Sequence, residues 1–336
     1  MGKKIGKQTY QPDNPPVIIG TGAVAGPFEG QGPLKDYFDH IYTDLIAGER
    51  TFESAEKEMM LNACFTCLNK AGKTPQEVDL FLSGDLLNQT ITSGFSALEL
   101  AIPYFGIYGA CSTSAEGLSI AAMLIDGGFC DLVLAAASSH NASAERQYRY
   151  PTEYGVHRKP TAQWTATGAG AALVAKTGEG PKITCITAGK VQDYGMKDPL
   201  NLGAAMAPAA ASTLVQHFAD TGHGPEYYDL IVTGDLGEFG HKLTIELAAS
   251  KGGFDLTKNY NDCGLILYDT KRQDVHAGGS GCGCSAITTY GYLLRKMAKG
   301  ELKKILLCAT GALHSPTSFQ EGQDIPAIAH AVSIES

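Results

Sequence analysis

No stretch of this chain reads as a membrane span. The longest helix-like apolar run, Gly117–Ser139, is interrupted by Asp126, Gly127, Gly128 and Asp131, and a spanning helix needs about 20 apolar residues in a row. No basic cluster accompanies the formal net charge of −9, which argues against a nucleic-acid partner. Charge is scarce altogether. Charged residues make up 18% of the chain and hydrophobic residues 44%, so it reads as globular and not as disordered. Cysteine forms no framework, because the nine are odd in number and follow no disulfide spacing. The first residues, MGKKIGKQTY, contain no apolar signal core. Gly6 stands where a myristoylation signal wants Ser or Thr. These absences point to a reducing cytoplasm and to a chain with no anchor of its own.

What is present is a duplication. Asp79–Leu86 reads DLFLSGDL, and Asp229–Leu236 reads DLIVTGDL 150 positions later. Ala110–Ala115, ACSTSA, parallels Gly281–Ala286, GCGCSA, in the same order. Each opens a helix-like run that ends at a glycine, Gly127 or Gly300. Each run then leads into an apolar strand-like segment, Asp131–Ala137 or Lys303–Ala309. A repeat this long means two similar lobes, 1–178 and 179–336, and not a solenoid of short units. Each lobe is long enough to bury a core of its own. A cleft between such lobes is a natural place for a ligand.

The patterning predicts helices over Glu53–Ala71, Ser112–Asp126, Ala204–Thr221, Lys242–Ser250 and Gly283–Lys299. It predicts strands over Asp79–Ser83, Pro103–Tyr108, Asp131–Ala137, Tyr228–Thr233, Gly264–Tyr268, Lys304–Ala309 and Ile325–Ile334. Alternating strands and helices imply α/β/α lobes with mainly parallel, mixed sheets. Ser112–Asp126 is built from small residues, which lets neighbours approach closely. It is expected to lie in the middle of the molecule.

Among candidate functional residues, Cys111 precedes a helix. A thiol there sees the positive end of the helix dipole, which favours thiolate. Buried, unreactive cysteine is an equally open reading of the same position. His140 ends a strand, where parallel sheets present binding residues. Arg146 and Arg149 share a face if their segment is helical, and arginine forks suit carboxylates. For either arginine alone, a solvated face paired with Glu145 is the plainer reading. Cys64 and Cys67 form a CxxC, but they lie on one face of an amphipathic helix, where core packing explains them better than zinc. The glycines of TGAGAALVA lack the third glycine of a dinucleotide fingerprint.

Several longer stretches carry a resemblance. They are GDLLNQ (Gly84–Gln89), GACSTS (Gly109–Ser114), LIDGGF (Leu124–Phe129), SSHNASAERQYRYPTEYG (Ser138–Gly155), AMAPAAA (Ala205–Ala211), NDCGL (Asn261–Leu265), AGGSGCGCSA (Ala277–Ala286) and IAHAV (Ile328–Val332). Together they resemble the stage V sporulation protein AD family, within the thiolase and ketoacyl synthase superfamily. The resemblance implies a thiolase-like fold with central buried helices, and a homodimer. It implies binding of dipicolinic acid, or its calcium chelate, in loading the developing spore. It also implies peripheral attachment at the cytoplasmic face of the forespore inner membrane, through other SpoVA membrane proteins. No cofactor and no protein-bound metal are expected.

The departures from the enzymes of that superfamily are informative. Thiolases carry a GHP-type histidine in the loop that here reads GGSGCGCS (Gly278–Ser285). Fatty-acid synthases of this type carry a histidine just after the strand that here ends at Thr233. This chain reads GDLGEFG there, and His241 comes too late. Cys111 thus matches the family nucleophile while its usual partners do not, which implies a binding protein without condensing activity. A planar dianion needs donors at two ends. Cys111, Ser112 and Thr113 at the helix start, with His140, Asn141, Arg146, Arg149 and His330, are the expected ligand contacts. Asp85 and Asn88 are expected to face the metal of a chelate. The alternatives are an acyltransferase with Cys111 as nucleophile and His140 or His330 as base, and a purely structural partner in a membrane complex.

Overall fold

The computed structural model describes residues 2–148 and 158–336. Each half contributes five strands in the same spatial order. In the first half the order is Tyr104–Gly106, Leu80–Gly84, Leu132–Ser139, Gly168–Ala175, Val17–Ala25. In the second half it is Tyr260–Asp262, Leu230–Thr233, Lys304–Ala312, Ala327–Glu335, Lys182–Thr187. The pairing directions also repeat. The outer three strands pair in parallel, and the fourth runs against both of its neighbours. The two sets join edge to edge at Val17 and Lys182.

The helices form the layers around these strands. Helix α1 (Phe52–Lys70) covers the outer face of the first set, beside α2 (Ile91–Leu100). Helices α5 (Leu202–Thr221) and α6 (Gly237–Gly252) hold the matching places on the second set. Helix α3 (Thr113–Asp126) lies between the sets and touches strands of both. Ala115, Gly117, Ser119, Ala121 and Ala122 of α3 are all buried, and that is what lets two sheets press on one helix. Its counterpart, α8 (Cys282–Ile287), continues through a π turn, Thr288–Leu293, to Ala298. The repeat aligns Ser114 with Ser285, and their hydroxyls are 2.7 Å apart. Two equivalent residues in mutual contact mark the pseudo-two-fold axis.

One open condition is settled and one local reading changes. Asn141–Tyr148 forms helix α4, which places Arg146 on a helix. The predicted strand Gly264–Tyr268 is instead helix α7 (Cys263–Leu267), preceded by the strand Tyr260–Asp262. The Asp262 side chain accepts from the Gly264 N–H and caps the new helix at 3.0 Å. A short apolar run cannot by itself distinguish a buried strand from a buried helix.

Candidate functional site

The approach to Cys111 is a strained turn. Ala110 has φ +50°, a left-handed conformation that alanine adopts at a cost of about 1–3 kcal/mol. Its repeat counterpart, Gly281, also has positive φ, at +101°. The turn persists because the backbone around it leaves no alternative. A Cβ placed on Gly311 would meet the Gly109 carbonyl at 2.2 Å and the Cys111 N–H nitrogen at 3.2 Å. Strand Lys304–Ala312 therefore lies directly against the cysteine turn.

The helix start supplies fewer donors than expected. The Ser112 N–H is bonded to Gly109 O at 3.0 Å, and the Thr113 N–H to Ala110 O. The Ser112 hydroxyl donates to Gly109 O at 2.6 Å, and the Thr113 hydroxyl to Ala110 O at 2.7 Å. Ser112 and Thr113 thus close the turn, and their polar groups are committed to it.

The partner of Cys111 is a carboxyl group from the other half. The Cys111 thiol stands near Asp235, which lies just past the strand Leu230–Thr233, and favours its charged form. Asp235 is fully buried, and burial pushes its carboxyl up to about 6. The Gly281 N–H at 2.8 Å and the Thr310 hydroxyl at 2.8 Å hold its two oxygens. The repeat offers the clue to this residue, since Asp235 is the counterpart of Asp85. Asp85 itself is buried and committed. Its carboxyl accepts from Leu87 N, Ser93 N and the Ser93 hydroxyl at 2.9, 2.8 and 2.7 Å. It is not open to a metal on the surface of the cleft.

Two adjoining cavities lie on this side of the turn, and the inner one opens on the thiol. The inner one, of about 30 Å³, is lined by Leu86, Ala110, Cys111, Ala144, Thr165 and Ser280 among others. The outer one, of about 440 Å³, is lined by Leu87, Asn88, Gln89, Thr90, Ile107 and Ser315 among others. Tyr108, Tyr148 and His314 line both. The Tyr108 and Tyr148 hydroxyls are 3.2 Å apart, and Tyr148 also donates to Leu86 O. The Tyr148 and His314 rings are 5.6 Å apart. Asn88 is held from α4, with its side-chain oxygen accepting from Gln147 at 2.8 Å. Gln89 and Thr90 both have positive φ, +58° and +49°, so the rim of the outer cavity is strained too.

The expected residues therefore separate. Cys111 and Asn88 line the connected cavities. His140 does not. Its Nε2 donates to Leu45 O at 2.8 Å, its Nδ1 accepts from Ala142 N at 3.2 Å, and burial pushes the imidazole down. It is a neutral, structural histidine. Asn141 ties α4 to the neighbouring strands through Thr167 and Thr165. Arg146 is exposed, 5.8 Å from the Phe52 ring. Arg149 lies outside the described residues. His330 sits in a strand opposite Ala309, and its Nδ1 accepts from the Gly189 N–H at 3.2 Å. Cys64 and Cys67 are buried in α1, and burial pushes the Cys67 thiol up to about 12. Tyr108, Tyr148, Asp235 and His314 were missed. The strand-end rule that drew attention to His140 applies equally to His314, which follows the equivalent strand of the second half.

Relatives place this arrangement. The crystal structure of 3-oxoacyl-[acyl-carrier-protein] synthase III from Aquifex aeolicus VF5 is similar with a TM-score of 0.57 and 17% identity. The match covers 96% of this chain and all of that one. Cerulenin-bound OleA from Xanthomonas campestris has a TM-score of 0.62 at 14% identity, over 99% of this chain and all of that one. These likenesses establish a thiolase-like fold. The stage V sporulation protein AD of Bacillus subtilis (strain 168) is 45% identical over 333 residues, which is 99% of this chain and 98% of that protein. The family model for stage V sporulation protein AD matches residues 6–335. The chain belongs to the stage V sporulation protein AD family.

Proposed function

We propose that this sporulation protein binds dipicolinic acid, or its calcium chelate, in the outer cavity and supports its uptake into the developing spore without condensing activity. The carrying observation is the contrast in size between the two cavities. The inner one beside Cys111 has about 30 Å³, room for a water molecule or two. The outer one has about 440 Å³, within the range of about 300–1,000 Å³ usual for small-molecule sites. Leu87, Ile107, Tyr108 and Tyr148 in its walls suit a flat ring, and Asn88, Gln89, Thr90, His314 and Ser315 add polar groups. Just past the strand where the family resemblance leads one to expect a histidine, this chain has the carboxyl of Asp235 near the thiol, which favours binding over acyl transfer, since condensation needs a base and an oxyanion site beside the thiol. Calorimetry with dipicolinate, and an acyl-CoA labelling assay on the same protein, test this reading. Binding without labelling is expected, and Cys111→Ser should change affinity little. Stable acylation of Cys111 with no dipicolinate binding would replace this reading with the acyltransferase one.

The same proposal includes a homodimer and peripheral attachment through other SpoVA membrane proteins. Strand Tyr104–Gly106 is paired on one side only, with Phe105 61% exposed. Beside it, α2 exposes Phe95 and Leu98 by 53% and 72%. The equivalent helix α6 instead exposes Glu238, Lys242, Glu246 and Lys251, with Phe239 its one large exposed apolar side chain. An apolar sheet edge of this kind needs a cover, and a second copy related by a two-fold axis supplies one. Purified protein should scatter light as a dimer and stay unbound to vesicles that lack those membrane proteins. Monomer over a wide concentration range would sink the dimer, and retention on bare vesicles would sink the partner-mediated attachment.

A further inference from the structure

The walls of the two cavities carry almost no charge. Among the described residues that line them there is no Lys, Arg, Asp or Glu, and His314 is the one side chain able to carry positive charge. It stands where the inner and outer cavities meet, beside the Tyr148 ring, just past the end of strand Lys304–Ala312. The other titratable groups around it are Tyr148 from α4, and Tyr108 and Cys111 from the segment leading into α3. Thr165, Ser280 and Ser315 add neutral hydroxyls. The buried carboxyls of Asp235 and Asp85 are committed behind this wall, Asp235 to Gly281 and Thr310 and Asp85 to Ser93.

We infer that His314 is the specificity-determining contact of the outer cavity, pairing as imidazolium with one carboxylate of a flat aromatic acid. This inference rests on the ligand reading above. A carboxylate moved from water into such a site needs a charged or strongly donating partner, and among the described lining residues His314 is the one able to carry positive charge. Tyr108, Tyr148 and Ile107 flank the ring of the ligand. The second carboxylate then lies toward the open rim, where Asn88, Gln89, Thr90 and Ser315 offer only neutral groups. The site is therefore a one-charge clamp. Recognition depends on pH, because imidazole changes charge between about pH 5 and 8.

The test is calorimetric titration of dipicolinate, and of the monocarboxylate picolinate, into parent, His314→Gln and His314→Lys proteins at pH 6 and pH 8.5. The parent should bind both acids at pH 6 within about tenfold of one another and weaken at pH 8.5. His314→Gln should lose about tenfold or more at pH 6, the size of a lost charge-assisted hydrogen bond, and little at pH 8.5. His314→Lys should hold its affinity at both values, which a merely structural role for the ring would not produce. Parent-like binding by His314→Gln at pH 6 overturns the clamp and leaves the ligand reading standing. A Lys variant as weak as the Gln variant at both pH values also overturns it. Failure of the parent to bind dipicolinate removes both readings, and the parent titration reports that separately.

Discussion

Gly311→Ala is expected to destabilise the protein by about 1–3 kcal/mol, the usual range for overpacking, and to weaken ligand binding with it. The new Cβ would stand 2.2 Å from Gly109 O, 3.1 Å from Ser112 N and 3.2 Å from Cys111 N. All three are backbone atoms of one turn, so no side chain can swing aside to make room. The strand or the cysteine turn must move, and the turn already holds Ala110 at positive φ. Gly117→Ala is the control. Its Cβ would meet Ala135 and Ile107 only at 3.5 Å, ordinary contact, inside a helix where alanine is favoured over glycine by about 1 kcal/mol. Chemical denaturation should show opposite signs for the two variants. Parent-like stability of Gly311→Ala would mean that the strand yields freely, and the strained-turn account would fall.

The second large effect is a loss of stability with rising pH, centred on buried carboxyls. Glu56, Glu29 and Asp235 are all at most 1% exposed. Burial pushes them up to about 8, 7 and 6 respectively, and the neighbouring Asp85 charge adds to the shift on Glu56. Each holds its proton more tightly folded than unfolded. Between about pH 4.5 and pH 8 the folded chain therefore binds more protons, and stability falls as pH rises through that window. Below about pH 4.5 both states are protonated and these groups contribute no further change. Glu56→Gln keeps the shape while removing the ionisation, with the Ser138 and Ser143 hydroxyls still beside it at 2.9 and 3.3 Å. It should stabilise the protein by roughly 2–4 kcal/mol at pH 8.5 and by little at pH 5, since a pKa unit is about 1.4 kcal/mol. Denaturation curves at the two pH values measure this. Equal effects at both, or a parent protein more stable at pH 8.5 than at pH 5, would count against it.

Much of the architecture was legible before any coordinates. The paired DLFLSGDL and DLIVTGDL segments are strands buried on both faces, so nearly every residue in them is constrained, and the duplication survives in the letters. The small residues of Ser112–Asp126 announced a central helix, because only small side chains allow two sheets to close on one helix. The cysteine before it was equally visible, since its place in the chain fixes its place in the fold.

The environment of each polar group was decided by the tertiary structure alone. His140 and His314 follow equivalent strands and look alike in sequence. One is buried neutral against the Leu45 carbonyl, and the other faces the cleft, because the chain segments that cover them come from distant parts of the sequence. Asp235 meets Cys111 only because the two halves fold face to face across the Ser114–Ser285 contact. Local sequence sets strands, helices and turns through spacing and backbone preference. Which donor meets which acceptor across more than a hundred residues depends on how the lobes pack, and spacing along the chain carries no record of it.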